Sequence, residues 1–126
     1  MLDRERHPLL QRAMDLLARL HELLGPGSLE SSPALGILYG GAGDIMGGLA
    51  QAVVSEEHTE AWGLAIVQLK RSLRGAAFAL GALFSLRSEG TLEQAEFDEL
   101  RATIRGIQSD VFAELRQVRE RFRGEE

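Results

Sequence analysis

The sequence predicts an all-α protein, an antiparallel four-helix bundle whose last two helices form a long C-terminal helical hairpin. Two observations carry this. Apolar residues recur at three- and four-residue spacing in four separate segments. Short breaks containing Gly, Ser or Pro divide those segments. No two runs read as strands that could partner one another, since AIVQL at 65–69 lies inside a helical stripe.

The first helix is predicted over 8–24. Leu9, Ala13, Leu16, Leu20 and Leu23 form its stripe, Pro8 suits a first helical position, and Gly25-Pro26-Gly27 ends it. The second is predicted over 33–54, with Ser32 as N-cap before Pro33. The third is placed over 56–87, opening at Ser55-Glu56-Glu57, where acids suit the positive end of the helix dipole. Trp62, Ile66, Leu69, Leu73, Ala76, Leu80 and Leu83 carry its stripe, and Ser88-Glu89-Gly90 breaks it. Thr91 and Gln94 predict a capping box for the fourth helix, 92–123, whose stripe runs from Phe97 through Ile104, Val111 and Val118 to Phe122.

Composition sets the class. The 126 residues are one domain's worth, spanning 1–126, and 44% of them are hydrophobic and 26% charged. Cysteine is absent, which excludes disulfides and thiolate metal sites and suits a reducing, cytoplasmic compartment. The first residues, MLDRERHPLLQR, carry charge where a signal peptide needs an apolar core. The run from Ser31 to Ser55 holds Asp44 and many glycines, so no membrane span is expected. With a net charge of −5 and no long basic cluster, no nucleic-acid partner is expected either.

The stretch GILYGGAGDIMGGLA (36–50) is the most unusual in the chain. Its opening resembles the strand and glycine turn of a Rossmann unit, but no partner strand, acidic second-strand end or following lysine supports a nucleotide loop. Read as a helix, it carries two stripes. Leu35, Leu38, Ala42, Ile45, Leu49 and Ala52 form an apolar one; Gly36, Gly40, Gly43 and Gly47 form one almost without side chains. Each interior glycine destabilises a helix by about 1 kcal/mol relative to alanine. The glycine stripe is therefore expected to be a close-packing face against another helix, within the subunit or between two subunits.

A second candidate surface follows from helix length. With the second turn placed near residue 55, the third helix outruns the second, and GAAFALGALFSL (75–86) is apolar or small all round. Phe78, Leu80, Leu83, Phe84 and Leu86 are thus expected to form a dimer or partner surface, with a homodimer as the predicted assembly.

Residues able to do chemistry are few. Asp44 is the only charge between Glu30 and Glu56, and antiparallel pairing brings it near Lys70, Arg71 and Arg74. With Tyr39 these residues make a possible anion pocket. His58 in EEHTE lacks the Glu-x-x-His pattern of a di-iron bundle, and no metal or cofactor is expected. His21-Glu22-Leu23-Leu24-Gly25-Pro26 resembles the phospho-accepting helix of sensor kinases, but the helix stops at that point and no ATP-binding domain follows. Arg116, Arg119, Arg121 and Arg123 are interleaved with Glu114 and Glu120 and read as a solvated face. The sequence therefore predicts a non-catalytic helical protein that self-associates as an interaction, scaffold or regulatory module. The alternative is a small-anion binder or enzyme with a pocket along the glycine-rich helix.

Overall fold

A computed structural model of the chain describes residues 7–25, 32–56 and 62–125. Four helices account for nearly all of them: α1 (Pro8–Leu24), α2 (Pro33–Glu56), α3 (Trp62–Ser88) and α4 (Gln94–Glu125). Each packs on its neighbour in sequence, and α1 closes the ring on α4. The all-α bundle and its long α3–α4 hairpin are as the sequence predicts.

Local chemistry explains the ends. Pro8 fills the first turn of α1, and the Gly25 N–H closes it on the His21 carbonyl at a φ of 65°. α3 ends in a Schellman motif. The Gly90 N–H binds the Arg87 carbonyl and the Thr91 N–H binds the Leu86 carbonyl, with Gly90 at a φ of 81°. α4 starts two residues later than expected. Glu96, not Gln94, reaches back to the backbone N–H of the residue before the helix, Glu93, at 2.9 Å. Leu92 and Phe97, both buried, flank this start as a hydrophobic staple.

Two other boundaries differ from expectation. Ser55 and Glu56 end α2 rather than opening α3, because Ala52, Val53 and Ser55 are buried and continue the core face of α2. Residues 57–61, between α2 and α3 and including His58, lie outside the described residues. Ser32 does not cap α2 with its hydroxyl, which instead donates to Glu89 Oε2 at 3.0 Å across the end of α3.

The core follows the predicted apolar stripes except at their ends: Leu9 and Leu23 of α1 are half-buried, with Leu10 buried in place of Leu9, and Phe122 of α4 is exposed. Leu35, Leu38, Ala42, Ile45, Leu49 and Ala52 of α2 are buried, as are Phe97, Leu100, Ile104, Ile107, Val111, Leu115 and Val118 of α4. α1 adds Leu10, Ala13, Leu16 and Leu20. Its rim is tied to α4 by Arg12–Asp110 and by Arg19, which grips Glu99 through Nε at 2.7 Å and Nη2 at 2.9 Å. The Arg19 bonds hold the Glu99 carboxyl below its usual range. Both pairs are solvent-exposed and so orient α1 more than they stabilise it.

The closest contact is the seam between α2 and α3, and it is built from missing side chains. A Cβ on Gly41 would lie 2.5 Å from the Gly75 carbonyl oxygen; one on Gly75 would lie 2.6 Å from the Gly41 carbonyl oxygen. A Cβ on Gly48 would lie 2.5 Å from the Gln68 carbonyl oxygen. Ala34, Gly41, Gly48 and Ser55 line the α2 side at seven-residue spacing; Ser72, Gly75, Ala79 and Ala82 line the α3 side. Helices bearing larger side chains keep their axes about 8–10 Å apart. Here backbone meets backbone, and the Ser72 hydroxyl donates to the Ile45 carbonyl at 2.9 Å across the gap.

A methyl group placed in this seam has nowhere to go. Gly75→Ala is expected to lower unfolding free energy by about 2–3 kcal/mol, the range of core overpacking, in urea denaturation. Gly81→Ala, with open space around the added carbon, is expected to leave the midpoint unchanged or raise it.

Candidate functional site

The seam fixes how α2 is rotated, and that rotation corrects the sequence reading of the glycines. Gly41 and Gly48 face α3, whereas the stripe Gly36, Gly40, Gly43 and Gly47 lies about a third of a turn away. Gly36 and Gly40 are exposed, and Gly43 and Gly47 are half-buried. A Cβ at Gly36, Gly40 or Gly43 would meet no atom within 4 Å. Among the described residues the stripe is not a close-packing face. Gly47 has a local partner: the Arg71 Nη2 would lie 3.0 Å from its Cβ, so the missing side chain seats the guanidinium.

The outer face of α2 is thus bare backbone with apolar flanks. Ile37 is 49% exposed and Val54 41%. Beside it α3 presents Val67 and Phe78, each 57% exposed. The one charged pair on this flank is internal to it. Arg71 donates from Nε and Nη2 to Asp44 Oδ1 at 3.2 and 3.1 Å. By length and composition alone, Pro33–Ser55 is also apolar enough to cross a membrane, and part of it is buried against the other helices.

The expected partner surface on α3 breaks up. Leu83 and Leu86 are fully buried in the core and Leu80 is half-buried against it; Phe78 and Phe84 remain exposed. The reason is register. Gly41 faces Gly75 and Ala79, and Gly48 faces Gln68 and Ser72, so Pro33 falls opposite roughly residues 83–87 in an antiparallel pairing, farther along α3 than a turn near residue 55 would place it. α2 therefore covers nearly all of α3. Phe78 lies on the α2 side, while Phe84 packs toward α4, edge to face with Phe97 at 5.0 Å.

The possible anion pocket is divided as well. Asp44 meets Arg71, as expected, and Lys70, Arg71 and Arg74 line one shallow groove of 390 Å³ with Val67 and Gln68. The Gln68 Oε1 is buried without a hydrogen-bond partner. Tyr39, five residues from Asp44, lies about 140° round the helix and faces α1 instead. Its hydroxyl donates to the Leu20 carbonyl at 3.0 Å, and its ring meets His21 edge to face at 5.1 Å. His21 itself donates from Nδ1 to the Leu17 carbonyl at 2.9 Å. Among the described residues no three His, Asp or Glu side chains converge as metal ligands would.

Sequence reasoning missed the seam glycines. The signal was present as the heptad of small residues Ala34, Gly41, Gly48 and Ser55, matched by the small stripe of α3. It also missed the aromatic and arginine cluster at the hairpin tip, where residues on two helices meet. Comparison with known proteins finds no matching family model, curated protein or solved structure.

Tyr39 gives a direct test of the α1–α2 contact, because it is the only tyrosine in the chain. Burial raises its pKa above the usual value near 10. Its contribution is therefore complete below that pH and is lost as pH rises through the folded value. Absorbance titration of the native protein is expected to give a midpoint above that of the protein in denaturant, and Tyr39→Phe to remove the transition.

Proposed function

We propose that the protein is a non-catalytic helical module that self-associates, a cytoplasmic homodimer serving as an interaction, scaffold or regulatory unit. The observation that carries this is the outward glycine stripe of α2. Gly36, Gly40 and Gly43 face open space among the described residues, so nothing there offsets their cost of about 1 kcal/mol each in a helix. A second helix lying across bare backbone gains close dispersion contacts that alanine would block. The same face carries Ile37, Val54, Val67 and Phe78 as apolar flanks. The flanking Asp44–Arg71 pair is already neutralised and needs no partner charge. Across a two-fold axis this surface is self-complementary in the sense an isologous contact requires: small meets small at the centre, and apolar side chains meet at the edge.

A second reading rests on the groove of Lys70, Arg71 and Arg74, in which Lys70 and Arg74 flank the Asp44–Arg71 pair and offer two cations to a small anion. Native mass spectrometry of freshly purified protein separates the two. A species of twice 13.8 kDa with no added mass supports the homodimer; a retained ligand that Arg74→Ala releases supports the second reading.

The sharper test of the first reading is substitution on the stripe. The combined variant Gly36→Ala, Gly40→Ala, Gly43→Ala is expected to weaken self-association about ten-fold or more while raising the thermal midpoint of the dilute monomer, because alanine is the better helix former. Light scattering coupled to size exclusion reads the first effect, and circular dichroism the second. A wild-type protein that stays monomeric at micromolar concentration contradicts the proposal.

A further inference from the structure

The tip of the α3–α4 hairpin holds two arginines that lie against aromatic rings. Arg87, in the last turn of α3, lies with its guanidinium carbon 4.2 Å from the ring centre of Phe97 and 5.3 Å from that of Phe84. Arg101, on α4, lies 6.0 Å from the same Phe84 ring centre. Phe97 is 1% exposed, so the ring under Arg87 is fixed by the core. A guanidinium attracted to an aromatic ring keeps its N–H donors available for hydrogen bonds to a ligand.

Among the described residues, neither arginine is bonded to a carboxylate. The acids around the tip are engaged elsewhere. Glu89 accepts from the Ser32 hydroxyl, Glu96 from the Glu93 N–H, Asp98 from Gln94, and Glu99 from Arg19. Glu93 is left, and its side chain is exposed. Two like charges therefore share one aromatic ring, no more than about 11 Å apart by their distances to its centre, with no counter-charge among the described residues bound to either.

We propose that Arg87 and Arg101 form a clamp for a small phosphate-bearing anion beside the Phe84 ring. Two forks that each bind in bidentate fashion need more acceptor oxygens than one carboxylate holds, and a phosphoryl or diphosphoryl group supplies them. Phe84, 42% exposed, gives the site an apolar wall that lowers the local dielectric and strengthens both contacts. The anion would also remove the repulsion between the two cations. This site lies away from the outer face of α2, so it stands or falls independently of self-association.

Isothermal titration with sodium pyrophosphate at low ionic strength and neutral pH tests the clamp. One saturable site per chain is expected. Arg87→Gln or Arg101→Gln should weaken it about ten-fold or more, as loss of a charge-assisted bidentate contact predicts. Arg87→Lys should also weaken it, because the charge remains but the fork is lost; this variant keeps a cation over the rings and guards against simple unfolding. Changing Arg116 and Arg123 to Gln, at the far end of α4, should leave the affinity unaltered. The proposal is overturned by absence of saturable binding, or by equal losses in the Arg87, Arg101 and Arg116/Arg123 variants, which would mark generic charge attraction.

Discussion

The contact on which the fold depends is the meeting of two backbones at Gly41 and Gly75. No Cβ fits there on either side, and the approach is extended along the seam by Gly48 opposite Gln68 and Ser72. Removing side chains is costly in a helix, since glycine gains least from helical order. The return is close packing, in which many weak dispersion contacts add up over the length of two helices. Serine serves the same end at position 72. Its hydroxyl is small enough for the gap and finds a carbonyl of α2 to bind, so the polar group is buried without an unmet hydrogen bond.

That seam settles the rotation and register of α2, and much of the rest follows. With Gly41 and Gly48 turned inward, Leu38, Ile45 and Leu49 are driven into the core, and Gly36, Gly40 and Gly43 are turned out. The register puts Pro33 beside the end of α3, so Leu83 and Leu86 are covered within the chain. It also places Arg71 over Gly47 and against Asp44, so the only acid in the middle of α2 is neutralised on the surface of its own hairpin. α1 is held differently, by a leucine stripe, a tyrosine hydroxyl and two exposed ion pairs at its rim. Such ion pairs are screened by water and salt, so α1 is the element whose attachment responds most to solution conditions.

The fold was legible wherever one periodicity dominated. The leucine and isoleucine stripes of α1, α2 and α4 read directly from spacing, and the Gly90 stop of α3 from its neighbours. Two things were not legible, for related physical reasons. Choosing between Gly36/Gly40/Gly43/Gly47 and Gly41/Gly48 requires knowing what the partner helix offers, because both stripes keep helical spacing. The small residues Ser72, Gly75, Ala79 and Ala82 decide it, but only once α3 is known to lie opposite. The turn between α2 and α3 was placed too early because Ser55-Glu56-Glu57 has the composition of a helix start. That misplacement shifted the register and made an uncovered tip out of residues that are in fact core. The anion pocket failed by the same route: Tyr39 and Asp44 are close in sequence and on different faces of one helix.

Hydrogen exchange read residue by residue measures the seam most directly. If bare-backbone packing holds the fold together, the amides of Ile45 and Ala79 should exchange only through global unfolding, while those of Leu16 and Leu20 in α1 open earlier. Exchange at Ile45 and Ala79 as fast as, or faster than, exchange at Leu16 and Leu20 would contradict it.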